Sequence, residues 1–489
     1  MPSSPDTRDA EAPSSAPEDP SRRRLGVLVQ CLLWAGILAT FADAAAASNG
    51  LTLSKRPRDT LAVPRWLYLA TGGATIGASA LLATFVTDRA LVRTLHGWSR
   101  AGLTVTDRWA PLGWITRAAG VATLALAVYL GYTGPQLPAA SPTVLVTFAG
   151  VRAGLPMLTY LGGNVWPLID PWRTLASPLP TGVRTYPDRA RRWPAVVGLL
   201  TLVWVEVVFP VSTVPRVLAT AILGYSAVTL AGAVVFGSAA WFRNADPLAV
   251  LFRLFGAVAP VQRRDGALRV GLPGRALVED APITDASDVA FVVALIWELT
   301  FSGFITTDVG AATVRSLVAL LPRVAGVEPL AIAVYTALFV CGYAVFVGAY
   351  WYASVLSRRY TGTYLTVRTI AVRFAPPLLA IAAGYHLAHY AGLFVTLSPA
   401  LLGAVLSPLS PPANPLVLSP PAWFDGLSIG FVLVGHLLAI GVAHAVAYDL
   451  FSSRLTAIRS QYPFVAVMIG YTVVSLWILS LPGAIPPYL

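Results

Sequence analysis

Charge is scarce in this 489-residue chain: Asp, Glu, Lys and Arg together make up 12% of it, against ~25% in a typical soluble globular domain. Lysine is nearly absent. Lys55 is the only one, so the net charge of +11 is carried by arginine. There are two cysteines, Cys31 and Cys341, both in apolar stretches, which excludes a disulfide framework or a cysteine-rich zinc module. No Walker loop, HExxH, GxSxG or CxxC occurs, so the usual phosphate-cradling, zincin, serine-hydrolase and redox motifs are excluded. The glycines of LGGNVWPL lack the strand–turn–helix setting of a dinucleotide site and read as a turn.

Apolar residues take the place of charge. They make up 56% of the chain, with a mean hydropathy of +0.68. Runs of ~20 apolar residues recur along the length, each enough to cross a ~30 Å hydrocarbon core as a helix. The runs are continuous rather than alternating, which excludes a β-barrel and leaves helices as the structure that satisfies backbone groups in lipid. The fold class is therefore all-α, a polytopic transmembrane helical bundle. Its partner is the lipid bilayer, in the plasma membrane of a prokaryote. Ten spans are expected at 66–87, 112–132, 142–161, 193–212, 215–240, 288–308, 329–355, 374–396, 427–448 and 463–483. They form a single domain over 60–489.

Residues 1–24 read as a disordered tail, too polar to build a core. Arg22, Arg23 and Arg24 then precede an apolar segment at 25–47 that ends in alanines. That segment is a signal peptide or an uncleaved first helix. Either way, residue 50 emerges outside.

Arginine alternates between loops. Arg89, Arg93, Arg100 and Arg108 follow the first span. Arg173, Arg184, Arg189, Arg191 and Arg192 follow the third. Arg243, Arg253, Arg263, Arg264, Arg269 and Arg275 follow the fifth. Arg358, Arg359 and Arg368 follow the seventh, and Arg454 and Arg459 the ninth. TGPQLPAASP has no charge, and the 397–426 loop has only Asp425. The positive-inside rule places the arginine loops in the cytoplasm. This distribution explains the basic balance without nucleic acid. In two of these loops, Asp170-Pro171 and Asp246-Pro247 carry a helix-start signal, and both segments are expected to lie as interfacial helices on the inner leaflet. LVALLPRVAG (317–326) is a similar candidate outside.

Ionisable residues inside spans are costly, so they mark working sites. On a ruler of ~1.5 Å per residue, Glu206, Glu298, His386, His389 and His436 all fall near mid-depth, while His444 lies ~12 Å nearer the cytoplasm than His436. His386 and His389, three residues apart, project to one helix face. Two imidazoles so spaced can reach one metal ion, with carboxylates from facing helices completing the set. Zinc, copper, iron and nickel all accept imidazole. His386, His389, His436 and His444 are thus the candidate metal ligands, and Glu298 and Glu206 the candidate catalytic carboxylates. A Glu/His proton relay, plain inter-helix hydrogen bonds and haem ligation fit the same residues. Arg152, deep in its span, is a candidate ion-pair partner for Glu206 or Glu298. Tyr385, Tyr390 and Trp297 read as packing.

GNVWPLIDPWRTL (163–175), DPLAVLFRLFG (246–256), YHLAHY (385–390), GHLLAIGVAHAVAYD (435–449) and RSQYPFVAVMIGYTVVSLWIL (459–479) resemble a family of uncharacterised polytopic membrane proteins of actinobacteria and haloarchaea. Some of its members are labelled fenitrothion hydrolase-like. The resemblance implies that His386, His389, His436 and His444 are the family's recurrent histidines. This chain has Asn49-Gly50-Leu51 where the family often has His-Gly-Leu. It also has Ser302 in Thr300-Phe301-Ser302-Gly303 where the family tends to have Asp.

The expected function is a membrane permease or transport component. Its intramembrane His/Glu site binds a metal ion or relays protons, and it serves a small ion or a lipophilic small molecule. The alternatives are an intramembrane metal-dependent hydrolase of a lipophilic ester, with metal-activated water and Glu298 or Glu206 as general base, and a non-catalytic assembly subunit. The topology is directly testable. Single cysteines at 133–140 and 400–425 are expected to react with an impermeant thiol reagent on intact cells, and cysteines at 241–285 only after permeabilisation. Labelling of 241–285 from outside contradicts the orientation.

Overall fold

The computed structural model describes residues 65–85, 98–104, 110–264, 266–321, 327–412, 414–421 and 423–488. The expected tail and leader, Cys31, Asn49-Gly50-Leu51, Arg89, Arg93 and Arg108 lie outside the described residues. Each of the ten expected spans coincides with a helix. These are α1 (Arg65–Phe85), α2 (Ala110–Thr133), α3 (Pro142–Leu161), α4 (Trp193–Val208), α5 (Pro215–Phe236), α6 (Ala286–Ile305), α7 (Val327–Thr361), α8 (Pro376–Leu406), α9 (Phe424–Leu450) and α10 (Arg454–Ser480). Eight of them, α2, α3 and α5 to α10, are long and apolar enough to cross a membrane. α4 has 16 residues, or ~24 Å at the helical rise, and is shorter than expected.

Helix ends follow local chemistry. α5 stops at Phe236 because Gly237 turns into positive φ, +87°, a conformation natural to glycine. α8 continues to Leu406, ten residues past the expected end, despite Pro399 within it. Pro399 cannot donate to the Val395 carbonyl one turn back, and the Ser398 hydroxyl donates to that carbonyl instead at 2.9 Å. α6 begins at Asp285, whose side chain accepts from the Ser287 N–H, an N-cap that satisfies an otherwise orphaned donor.

α6 is largely apolar around its circumference, with Asp288 and Glu298 as its charged exceptions, and nearly all of it is buried. A helix of that kind belongs in the middle of a bundle. Its neighbours include α4, α7, α8 and α10. α8 and α9 cross in close contact. A Cβ at Gly384 would lie 2.8 Å from the Gly435 Cα, and one at Gly435 would lie 2.9 Å from the Gly384 Cα. Small residues facing each other let two helix backbones touch where lipid supplies no hydrophobic drive.

The arginine-bearing loops all meet on one face. β1 (Ser99–Thr104), β2 (Val261–Arg264) and β3 (Ala267–Gly271) form an antiparallel sheet in the order β1-β3-β2, with Arg100 opposite Val270. This sheet, joining the loops after the first and fifth spans, is absent from the sequence reading. Arg191 pairs with Asp285 at 3.2 Å, Arg192 with Asp288, and Arg373 with Asp449 at 3.2 Å. At the opposite face the chain end after α10 folds onto the α6 exit. The Ala484 N–H donates to the Thr306 carbonyl at 2.9 Å and the Asp308 N–H to the Pro482 carbonyl at 3.1 Å. The expected outer surface helix starts earlier than 317, at Asp308–Leu320.

The two Asp-Pro segments require a correction. Asp170 does cap Pro171–Ala176, accepting from the Trp172 and Arg173 N–H groups at 3.1 Å. Asp246 caps Pro247–Gly256, accepting from the Ala249 N–H at 2.8 Å. Both segments turn their apolar faces onto protein rather than outward. Trp166 and Trp172 are buried, as are Val250, Phe252, Leu254 and Phe255, and Trp166 stacks on Phe252 with ring centroids 4.5 Å apart. Their apolar faces fit each other and the bundle interior, so amphipathicity here signals packing. A disulfide tests the joined loops. With Cys31 and Cys341 replaced by serine, the pair Arg100→Cys and Val270→Cys is expected to oxidise readily, since antiparallel partners sit ~4.5–5.5 Å apart at Cα. The pair Arg100→Cys with Leu418→Cys is expected not to. Equal yields from the two pairs contradict the sheet.

Candidate functional site

The site begins with a backbone irregularity. Within α3, Leu145–Gly154 is a π-helix, and the Leu155 N–H closes it on the Gly150 carbonyl five residues back. Long π segments are rare and cluster at functional sites. Arg152 sits on its last turn. Pro156, four residues later, has no N–H to give the Arg152 carbonyl, which is therefore open to a partner from outside the helix. That partner is His386 on α8, its Nε2 3.0 Å from the Arg152 oxygen.

This contact fixes the imidazole. A carbonyl only accepts, so Nε2 carries the proton and Nδ1 of the neutral ring accepts. The Tyr160 hydroxyl, also on α3, is 3.2 Å from Nδ1 and donates to it. Phe255 packs against both Tyr160 and His386, with ring centroids 5.5 and 5.8 Å away. The buried Pro247–Gly256 helix thus reaches the site from the arginine-rich face.

The Arg152 guanidinium joins three further elements. Its Nη1 and Nη2 donate to Oε1 and Oε2 of Glu298 on α6 at 3.1 and 2.5 Å, a bidentate fork. Its Nε donates to Glu206 Oε2 on α4 at 3.1 Å. The ring of Tyr390 on α8 lies under it, 5.0 Å to the centroid, a cation–π contact. Glu298 is 3% exposed and Glu206 26%, so Glu206 is the accessible member. Two carboxylates against one guanidinium leave a formal charge of −1. In a medium where an unpaired charge costs several kcal/mol, that surplus calls for a proton or a cation.

The six residues expected to form the site separate. Glu206, Glu298 and His386 come together, all three on Arg152. His389, half-buried, shares the Tyr390 ring with His386, each at 4.7 Å between centroids, but turns toward α6, where its Cε1 lies 3.8 Å from where a Cβ at Gly303 would stand. Three residues of helix amount to 300°, so the histidines diverge by 60°. In this bundle that is enough for one to meet α3 and the other α6. His436 is buried, and its Nδ1–H donates to the Val432 carbonyl of its own helix at 2.8 Å; its Nε2 has no hydrogen-bond partner among the described residues. His444 packs on Tyr448 at 4.6 Å, and the nearby Asp449 pairs with Arg373 instead.

Among the described residues no group of three or more His, Cys, Asp or Glu is placed to hold a metal, both nitrogens of His386 are engaged, and both oxygens of Glu298 accept from Arg152. The fork takes one lone pair on each Glu298 oxygen, so this carboxylate is committed first to Arg152. Sequence reasoning underrated Arg152 and Tyr390 and missed Tyr160. The available signal was a lone arginine deep in an apolar run, followed within one turn by proline. Comparison with known proteins finds no match, whether among family models, curated proteins or solved structures.

The charge arrangement predicts an order of stabilities. Arg152→Met strands two carboxylates and is expected to cost about 3–5 kcal/mol. Glu298→Gln leaves a one-to-one pair and should cost much less. Adding Glu298→Gln to Arg152→Met should restore part of the loss. Thermal unfolding of the purified variants in detergent checks this. Arg152→Met as stable as wild type contradicts it.

Proposed function

We propose that the chain is a membrane permease or transport component in which the Arg152–Glu206–Glu298 triad takes up and releases a proton. The observation that carries this is the charge count: one guanidinium held by two carboxylates at bundle depth. A proton shared with Glu206 neutralises the set, and its loss returns a charge of −1. Each state favours a different spacing of α3, α4 and α6, because the neutral carboxyl no longer attracts Arg152. Intramembrane ionisable sets of this kind serve as proton relays in pumps and transporters. The π turn that holds Arg152 supports the reading, because such turns recur at functional sites.

His386 has a supporting role in this mechanism. It holds the Arg152 carbonyl and is itself held by Tyr160, so movement of the π turn is felt by α8. The hydrolase alternative needs a metal-activated water and a free base, and the geometry favours neither.

The test is proton flux in reconstituted vesicles. Wild-type protein is expected to dissipate an imposed pH gradient, read by a pH-sensitive dye inside the vesicles. Glu206→Gln is expected to slow the flux at least tenfold with the fold intact, since it removes the accessible proton acceptor while Glu298 still pairs with Arg152. Gradient decay equal to that of protein-free vesicles, or flux unaffected by Glu206→Gln, overturns the reading.

A further inference from the structure

A second charged cluster lies apart from the triad, on the face where the arginine loops gather. Arg192 precedes α4, Arg173 belongs to Pro171–Ala176, Arg243 to Ser238–Asn244 and Arg253 to Pro247–Gly256. Arg253 is anchored by its Nη1, which donates to the Arg243 carbonyl at 2.7 Å. Its other terminal nitrogen, Nη2, is buried and has no hydrogen-bond partner among the described residues, and the same is true of the Arg192 Nε. Buried guanidinium N–H groups without acceptors are costly. Burial, together with the charges of Arg192, Arg243 and Arg173, pushes the Arg253 pKa down to about 10, with Asp288 acting the other way. Arginine gives up its proton reluctantly, so this strain is relieved most simply by an anion.

The protein's own carboxylates are already committed. Asp288 accepts from Arg192 and from the Thr284 N–H and hydroxyl. Asp285 caps α6 and pairs with Arg191. Asp246 accepts from Tyr225, Thr229 and Ala249 at 2.7, 2.6 and 2.8 Å. Asp170 caps its own helix, and burial pushes its carboxyl up to about 7. Among the described residues the four guanidiniums are therefore answered chiefly by Asp288, with Asp170 beside Arg173. Two of them, Arg192 and Arg253, carry buried N–H groups without an acceptor among the described residues.

We infer that Arg173, Arg192, Arg243 and Arg253 form a binding site for a phosphate-type oxyanion at the arginine-rich face. Arg253 and Arg192 supply the buried donors, and the exposed Arg173 and Arg243 form the rim. Guanidinium matches phosphate through paired N–H···O bonds. Basic pockets at helix ends on the cytoplasmic side are suited to anionic lipid headgroups, and the same donors accept a free phosphate. The site does not rest on the transport reading, since none of its residues contacts Arg152, Glu206 or Glu298 through any bond described above.

Full-length protein purified in detergent distinguishes the sources. In one arm, inorganic phosphate is titrated against chloride at equal ionic strength while thermal unfolding is followed. In the other, native mass spectrometry counts adducts of phosphatidylglycerol against monogalactosyl diacylglycerol, which has no phosphate. Arg253→Gln and the rim variant Arg243→Gln are run beside wild type, the second because an exposed side chain can be changed without threatening the fold. Each is expected to weaken binding about tenfold or more, the effect of losing a charge-assisted hydrogen bond. A saturable phosphate-specific shift that both variants weaken assigns a soluble oxyanion. Phosphatidylglycerol adducts alone, depleted in both variants, assign a lipid headgroup. Neither probe bound by wild type, or binding unchanged in both variants, overturns the site.

Discussion

One guanidinium organises the centre of this bundle. Arg152 would be prohibitive at this depth alone, and it is tolerated because Glu298, Glu206 and the Tyr390 ring reach it from three other helices. The dependence is mutual. Glu298, almost completely enclosed on the most buried helix, has no other cation beside it in the hydrogen bonds described. α3, α4, α6 and α8 are therefore fixed in relative height and rotation by a single side chain. The backbone carries the same constraint, since the π turn and Pro156 together free the Arg152 carbonyl for His386. Side chain and carbonyl of one residue thus tie α3 to its neighbours in two ways.

A triad with two acids and one base is also unstable in charge. A purely structural staple would be better served by a one-to-one pair, which costs less to bury. On the proposed reading the surplus carboxylate gives the arrangement its chemistry; Glu206, near the end of the short α4, is the less buried of the two acids. The close contact of Gly384 with Gly435 holds α8 firmly against α9 a fraction of a turn from His386. Motion of the π turn would therefore be transmitted through α8 rather than lost in side-chain slack.

Much of the fold was legible in the sequence because hydrophobic length and arginine placement are one-dimensional properties. Ten apolar runs give ten helices, and the arginine loops do meet on one face through β1, β3, Arg192 and Arg373. What was not legible depends on partners. β1 and β3 are short, polar and distant in sequence, so neither carries a pattern until the other is present. Pro247–Gly256 is amphipathic whether it meets lipid or protein, and only Trp166 and Phe252 decide which. In the site, depth correctly brought Glu206, Glu298 and His386 together. Spacing put His386 and His389 on one ring, Tyr390, but a divergence of 60° is enough to send one to α3 and the other to α6. The π register of α3 leaves no mark on hydropathy, and it sets the direction in which Arg152 points.

The central claim is that the triad holds an exchangeable proton, and carboxyl vibrational spectroscopy addresses it most directly. Infrared difference spectra of the protein in lipid, recorded between alkaline and acidic pH, resolve the carbonyl stretch of a protonated carboxylic acid. The account predicts a band that appears on acidification, shifts in deuterated water and disappears in Glu206→Gln. A spectrum in which that band is absent, or persists unchanged in Glu206→Gln, would contradict it and leave Arg152 as a static bridge between helices.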